Sequence, residues 1–320
     1  MFGKRLIEYV IAFMALIILN FIMPRLMPGD PIDAIYGSEL VAMTPELRAQ
    51  LRAEYLLDQS IWSQFLHYLH STASGDLGYS YAYKAPVIDI VAGALPWTIL
   101  LVGISLFCAI TIALFLGIES GWRRGKRLDR YLFAIFSILN GIPGFFVGMI
   151  LIIIFALNLN ILPAGGAVTH YAGYTGIEYV IDVARHLILP ATALSVTELS
   201  WIYLLMRGGI ISVVNEPFVK TGMLKGLDDI TIRYRYAARN ALLPVFTRIG
   251  IQISQIVAGI LIIEAVFTYP GIGYLLHDAL LTRDLPLIQG ILLIVTISVL
   301  AINFTMDMLY PRIDPRIQYV

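Results

Sequence analysis

Two acidic residues, Glu198 and Glu264, lie inside long apolar stretches of this sequence. A carboxylate at membrane depth is costly, so such a residue usually faces a water-filled cavity or a partner group. Trp201 follows Glu198 closely, and Glu264 stands near the end of its stretch, where we expect water to reach it. These residue types predict a translocation cavity lined by Glu198, Trp201 and Glu264. The alternative is a set of structural hydrogen bonds between helices.

Two histidines, His67 and His70, are spaced so that both imidazoles can meet on one helix face and share a metal ion. No cysteine or carboxylate stands at a matching offset to complete a ligand set. The pattern is more typical of the wet side of an amphipathic helix, and we predict no metal site.

Motifs for enzymatic chemistry are missing from the sequence. The nearest approach to a phosphate-binding loop, Gly121–Arg127, has the wrong spacing and ends in arginine. Neither the H-E-x-x-H zinc motif nor the G-x-S-x-G nucleophile motif occurs. The sequence therefore predicts a protein that is not an enzyme and that binds no cofactor of its own.

The composition identifies the elements that must position these residues. Hydrophobic residues make up 58% of the 320 and charged residues only 14%, whereas soluble domains have about 45–50% and about 25%. The single cysteine, Cys108, cannot form an internal disulfide. We predict an all-α polytopic membrane protein, because a helix needs about 20 apolar residues to cross the hydrocarbon. Six stretches qualify: Leu6–Arg25, Trp97–Ile118, Leu132–Leu157, Leu187–Met206, Ile249–Thr268 and Leu287–Met306.

Orientation follows from the distribution of lysine and arginine, which accumulate on the cytoplasmic side. With both termini cytoplasmic, sixteen of the 22 Lys and Arg residues lie inside and six lie outside. Topology thus explains the inner positive charge, and no nucleic-acid partner is predicted. The resulting division is a first span with its cytoplasmic end (1–27), an extracytoplasmic helical lid (28–95), a core of five spans (96–310) and a cytoplasmic tail (311–320).

Three local patterns refine this outline. In the lid, Thr44-Pro45 predicts a helix start, and after Asp58 the residues Ile61, Phe65, Leu66 and Leu69 predict a second helix with an apolar stripe. In the third stretch, Gly141-Ile-Pro143-Gly144 predicts a kink.

The inner segment 207–248 is too polar to be buried in the membrane. Its residues Val219, Leu224, Leu227 and Ile230 predict a short amphipathic helix with a partly apolar face. Such a face must be covered by lipid or by a protein partner.

Ordered motifs along nearly the whole chain resemble the permease subunits of binding-protein-dependent ABC importers of the dipeptide, oligopeptide and nickel class, specifically the first of the two permeases. Each motif alone is weak, but their order on six spans of the right polarity is specific. They are Leu26-Met-Pro-Gly-Asp-Pro31, Gly75-Asp-Leu-Gly-Tyr-Ser80, Ile161-Leu-Pro-Ala-Gly-Gly166, Arg185-His-Leu-Ile-Leu-Pro-Ala191, Ala238-Arg-Asn-Ala-Leu-Leu-Pro244, Glu264-Ala-Val-Phe-Thr-Tyr-Pro-Gly-Ile-Gly273 and Asp314-Pro-Arg316.

The resemblance implies a type I permease fold in the prokaryotic inner membrane, with ATP and Mg bound by partner subunits. The implied partners are a second homologous permease, two cytoplasmic ATPases, an extracytoplasmic substrate-binding protein and the lipid bilayer. It also implies that the inner segment holds the coupling helix that docks on an ATPase, where Gly222 departs from the family's usual alanine. The coupling residues on this basis are Val219, Lys220, Thr221, Gly222, Leu224, Lys225, Gly226, Leu227 and Asp228.

Peptide is the cargo that the resemblance favours, with nickel chelates and oligosaccharides as alternatives. Glu264 matches a carboxylate common in the class, whereas Glu198 stands where an apolar residue is expected and is the better candidate for a contact with a ligand amine. Two readings from other classes remain open at this stage. One is an ion-coupled secondary carrier that uses Glu198 and Glu264 as a relay, and the other is a membrane scaffold or receptor that transports nothing.

Overall fold

The computed structural model describes residues 2–26, 32, 44–54, 58–242, 245–246 and 260–313. Helices dominate these residues. The described strands are β1 (Tyr79–Ser80) and β2 (Ala85–Pro86), which pair antiparallel. Two π-helical segments, π1 (Ile152–Asn158) and π2 (Ile232–Ala238), follow other helices directly. The α-helices are α1 (Phe2–Arg25), α2 (Pro45–Glu54), α3 (Ile61–Ala73), α4 (Val87–Trp122), α5 (Arg127–Leu139), α6 (Gly144–Leu151), α7 (Gly176–Val213), α8 (Pro217–Leu224), α9 (Asp229–Thr231), α10 (Ile272–Thr282) and α11 (Leu285–Ile313).

Three helices within the described ranges are long and apolar enough to cross a membrane: Val87–Trp122, Gly176–Val213 and Leu285–Met308. The bent pair formed by α5 and α6–π1 adds a fourth if it counts as one span. The apolar part of α1, Ile7–Met23, is shorter. Most of the predicted fifth stretch and the end of the predicted tail lie outside the described residues, although residues 260–266 are helical.

The third predicted stretch is interrupted more strongly than the expected kink. The chain leaves α5 at Leu139 and begins α6 at Gly144, with an angle of 98° between the two arms. Pro143 has no N–H to donate and restricts the residue before it, so the first helix ends there instead of bending. Pro143 then occupies the N-cap position of α6.

The chain divides into two compact units, and the first contains Met1–Pro96 and Gly271–Ala301. Within it, the Asn20 amide of α1 donates to the Tyr68 hydroxyl of α3 (3.0 Å) and to the backbone oxygen of Gln289 in α11 (2.9 Å). Asp284, just before α11, accepts from the Ser80 hydroxyl at 2.6 Å. These bonds join α1, the lid and the start of α11.

The two predicted lid helices are present, with α2 beginning at Pro45 and α3 capped by Ser60, whose hydroxyl accepts from the Ser63 N–H at 3.2 Å. The predicted apolar stripe on α3 is partly wrong. Ile61 and Leu66 are exposed, whereas Phe65 packs against Phe21 with ring centroids 5.1 Å apart. Phe65 and Tyr68, one turn apart, make the contact with α1. Tyr68 can replace an apolar residue there because its ring packs on Phe21 while its hydroxyl accepts from Asn20.

The second unit contains Trp97–Pro270 and Ile302–Val320, and α7 supplies much of its core. One apolar cluster joins α4 and α7 to the segment after α7, with Ala109, Tyr203, Val219 and Ile232 among its buried members. A Cβ atom on Gly148 of α6 would lie 2.9 Å from Phe267, so glycine permits the close approach of these segments.

Candidate functional site

A short helix, α8, covers most of the residues that the resemblance assigns to ATPase coupling. Glu216 has extended backbone at the N-cap and Pro217 occupies the first turn, where a missing N–H costs no hydrogen bond. Gly222, the departure from the family pattern, lies inside the helix. Val219 is fully buried and Gly222 is buried, while Leu224 is 88% exposed. The helix is therefore anchored on one side and presents an apolar residue to its surroundings on the other.

The sequence reasoning put Val219, Leu224, Leu227 and Ile230 on one face, and this was wrong. Leu224 and Ile230 are exposed, whereas Val219 and Leu227 turn inward. The helical period does not continue past Leu224, because the chain reverses at Gly226. The remaining predicted coupling residues lie on the exposed surface: Lys220, Thr221, Lys225, Gly226 and Asp228.

Gly226 ends α8 in a left-handed conformation, with φ +74°. Its N–H donates to the Met223 oxygen (3.0 Å), and the Leu227 N–H donates to the Gly222 oxygen (3.3 Å). These two bonds form a Schellman motif, which satisfies carbonyls at the helix end. Asp228 then caps α9 by accepting from Thr231, and this hydrogen bond lowers the pKa of the Asp228 carboxyl.

The two glycines of this segment should respond oppositely to alanine. A Cβ on Gly222 would meet Ile232, Leu227 and Tyr236 at 3.6–3.9 Å, which is ordinary contact. Gly222→Ala is therefore expected to stabilise α8 by about 1 kcal/mol and slow amide hydrogen exchange across 217–224. Gly226→Ala is the matched control and should speed exchange, since a left-handed alanine costs roughly 1–2 kcal/mol. Faster exchange in Gly222→Ala would contradict this account of the helix.

An ionic cluster centred on the buried Arg233 side chain attaches this segment to the end of α4. Arg233 in π2 is 7% exposed and forms ion pairs with Glu119 of α4 and with Asp229 of α9. The Tyr234 hydroxyl also donates to Glu119 (2.9 Å), and the Trp122 indole donates to Asp229 (2.9 Å). Burial alone would lower the pKa of Arg233, but Glu119 and Asp229 raise it above its usual value. We call Glu119, Trp122, Asp229, Arg233 and Tyr234 the α4 cluster.

A second buried ion pair, between Asp129 of α5 and Arg207 of α7, is linked to α4 through Ser120, the residue after Glu119. Ser120 donates to the Asp129 carboxylate of α5 at 2.7 Å and shares a hydrogen bond with Tyr203 of α7 at 2.6 Å. Asp129 is 2% exposed and accepts a bidentate pair from Arg207 of α7 at 2.6 and 3.0 Å. The Gly125 N–H donates to it as well, at 2.8 Å. Neighbouring positions of α4 are thus linked to the α8 segment and to α7.

Sequence reasoning missed Glu119, Asp129, Arg207 and Arg233 as a structural set. Taken from the sequence alone, the lysines and arginines of this region indicate only orientation. One signal was available, because Glu119 and Asp129 are carboxylates that flank the densest run of inner positive charge. A carboxylate at the end of an apolar helix beside such a run is placed to form an ion pair.

The two predicted cavity glutamates are both buried. Glu198 is 6% exposed and accepts a hydrogen bond from the Trp201 indole at 2.7 Å. Glu264 is fully buried and accepts from the Thr98 hydroxyl at 2.7 Å, so the expectation that water reaches Glu264 was wrong. Next to Thr98, Trp97 of α4 packs edge-on against the Tyr269 ring, with ring centroids 6.1 Å apart.

The histidine pair on α3 has no metal-ligand set around it. Among the described residues, no group of three or more His, Cys, Asp and Glu side chains is arranged to hold a metal ion. His67 and His70 are both exposed.

Residues 109–319 match the model of the family described as binding-protein-dependent transport system inner membrane component. A relative from Brucella suis biovar 1 is 36% identical over 307 residues, covering 95% of this chain and 94% of the relative. The dipeptide transport system permease protein DppB of Escherichia coli K12 is 31% identical over 333 residues, and the oligopeptide transport system permease protein AppB of Bacillus subtilis 168 is 30% identical over 317. Both alignments cover 99% of this chain and 98% of the relative. The chain therefore belongs to the family of inner-membrane permease subunits of binding-protein-dependent ABC importers.

Proposed function

We propose that this chain is a pore-forming subunit of a peptide importer, the first of two homologous permeases. Similarity over nearly the full length to relatives named for dipeptide and oligopeptide transport supports the cargo class. The observation that carries the proposal is α8, a helix fixed by buried Val219 that presents the exposed neighbours Met223 and Leu224. Apolar residues exposed on an anchored helix are typical of a protein docking surface.

The proposal includes a type I fold with six spans and cytoplasmic termini. Each of the six predicted apolar stretches overlaps helical residues of the structure, which supports this count. ATP and Mg belong to two partner ATPases, one of which receives α8. An external binding protein delivers the peptide, and closure of the ATPases moves α8 and switches access to the cavity.

Co-purification of the tagged chain with its chromosomal neighbours tests the assembly. We expect a second permease and ATPases to be recovered, with ATP hydrolysis in lipid raised by a peptide-loaded binding protein. The variant Leu224→Asp should lose the ATPases and keep the second permease, because it places a charge on the docking surface only. Uptake that survives ATP depletion and collapses with an uncoupler would overturn the proposal in favour of an ion-coupled carrier.

Within this function, we assign Glu198 to the ammonium group of the peptide. Glu198→Gln keeps the shape and an acceptor for Trp201 but removes the charge. We expect KM for a free dipeptide to rise roughly tenfold or more, since a hydrogen bond to a charged group is worth about 1.5–3 kcal/mol. An N-acetylated dipeptide should be transported equally by both forms.

Glu178→Gln on the exposed start of α7 is the control for Glu198, and it should leave both KM values unchanged. An equal loss for the free and the acetylated peptide in Glu198→Gln would assign Glu198 a structural role instead.

A further inference from the structure

The first unit contains a cavity of about 340 Å³ that the importer function does not use. We call it the lid cavity. It is bounded by the end of α1, by α3, by the turn before β1 and by the first turns of α11. Its volume falls within the roughly 300–1,000 Å³ typical of small-molecule sites. Leucine and proline side chains form part of its lining, and charged and polar groups form the rest.

Two opposite charges line the lid cavity without neutralising each other. Arg25 donates to the Gln64 side chain (3.1 Å) and to the Phe21 oxygen (2.9 Å), and it pairs with no carboxylate of the described chain. Asp76 accepts from the Gly78 N–H at 2.9 Å and pairs with no cation among the same residues. The guanidinium has five N–H donors, so several remain free for a ligand.

A buried amide with an unused donor lies directly behind the same wall. The Nε2 atom of Gln289 is inaccessible to solvent and has no hydrogen-bond partner in the described structure. An unsatisfied buried donor costs about 1–3 kcal/mol, so such groups usually have a role. Gln289 lies one turn into α11, and the Asn20 amide donates both to its backbone oxygen and to the Tyr68 hydroxyl, which belongs to another lining residue.

We propose that the lid cavity binds a zwitterion, with its anionic group on Arg25 and on the Gln289 amide once this amide turns into the cavity, and its primary ammonium on Asp76. A ligand that carries both charges compensates both residues at once, whereas a simple anion or cation leaves one of them without a partner. Two sources offer this chemistry: a short peptide with free termini, and the headgroup of an ethanolamine phospholipid. The choice of a peptide as the first probe rests on the proposed function.

Equilibrium binding to the purified full-length chain tests the site with three matched probes. Dialanine has both charges, N-acetyl-dialanine lacks the ammonium and dialanine amide lacks the carboxylate. The wild-type chain is expected to bind dialanine roughly ten- to hundredfold more tightly than either blocked form.

Variants of the two charged residues assign each charge. In a Glu198→Gln background, which removes the ammonium contact assigned to Glu198, Arg25→Gln should no longer distinguish dialanine from its amide, and Asp76→Asn should no longer distinguish it from the acetylated form. Arg52→Gln removes a lid charge outside the cavity and should bind like the wild type. Gln289→Leu separates binding from folding, because it should weaken binding while thermal stability stays the same or rises.

Native mass spectrometry with a lipid distinguishes the phospholipid headgroup from the peptide as the natural ligand. Phosphatidylethanolamine that is retained by the wild-type chain in native mass spectrometry, and lost in Arg25→Gln and Asp76→Asn, assigns the site to the headgroup. Absence of binding by both dialanine and this lipid, or binding that neither variant changes, overturns the proposal. These measurements need no ATP and no transport, so failure here with intact ATP-driven uptake leaves the proposed function standing.

Discussion

Replacing Arg233 by methionine is expected to disconnect ATP hydrolysis from peptide transport. Arg233 joins π2 to Glu119 of α4 and to Asp229 of α9, so it is the main polar attachment between the α8 segment and the end of α4. Without it, α8 can move with an ATPase while α4 stays in place. We expect ATPase activity to persist and the peptide transported per ATP hydrolysed to fall at least tenfold.

The same substitution should also lower stability. Loss of one partner from a buried ion pair costs about 3–5 kcal/mol, because the other charge is left in a dry environment. Arg123 still pairs with Glu119 at 3.0 Å, so we expect the lower end of this range. Asp229 loses little, since its side chain is 61% exposed.

Two further variants make the Arg233 prediction specific. Arg235→Met removes an exposed positive charge from the same segment and should keep transport coupled. Glu119→Gln combined with Arg233→Met removes the uncompensated charge, so stability should recover while coupling stays lost. Recovery of coupling in the double variant would show that the attachment depends on packing and not on Arg233.

Asp129→Asn is expected to destabilise the second unit by about 3–5 kcal/mol. Asp129 is the common acceptor for Arg207, Ser120 and the Gly125 N–H, so asparagine both removes the counter-charge of Arg207 and loses one acceptor oxygen. Thermal unfolding of the purified chain in detergent measures the effect. Asp129→Leu combined with Arg207→Met should regain much of the loss, because an apolar pair leaves no buried charge.

The exposed pair between Arg52 and Asp58 provides the control for this measurement. It joins the same two residue types at 3.2 Å, but its side chains are 39% and 52% exposed. Asp58→Asn should change stability by less than about 1 kcal/mol, as solvent screens such pairs. A similar loss in Asp58→Asn and Asp129→Asn would contradict the view that burial gives the Asp129 pair its importance.

The α4 cluster and the Asp129 pair meet at neighbouring residues of α4, Glu119 and Ser120. Ser120 is hydrogen-bonded to Tyr203 of α7, and Asp129 is paired with Arg207 of the same helix. Helix α7 also carries Glu198. Two hydrogen-bonded sets, joined by consecutive residues of α4, therefore extend from the α8 segment to the helix that we assign to peptide contact. The variants described above test whether these sets transmit motion, because contact alone does not establish coupling.

Several features were predictable because they depend on chemistry local in sequence. Apolar stretches of membrane length predict spanning helices, and α4, α7 and α11 are long and apolar enough to be three of them. Thr44-Pro45 predicts a helix start, and Pro217 and Gly226 stand at the start and end of α8, where their backbone restrictions suit those positions. The ordered motifs predicted the permease family, which the comparisons confirm.

Other features depended on residues far apart in the chain, and only the tertiary structure decided them. The apolar pattern from Val219 to Ile230 could not show that the chain reverses at Gly226, so it assigned Leu224 and Leu227 to one face. Glu119 and Arg233 are 114 positions apart, and no local sequence pattern indicates that these two residues form a pair. Hydrophobicity and backbone preference act over a few residues and fix where helices form, whereas ion pairs and cavities exist only after packing brings distant side chains together. The sequence by itself therefore determined the class, the family and most helices, and packing determined the buried ionic clusters, the burial of Glu264 and the lid cavity.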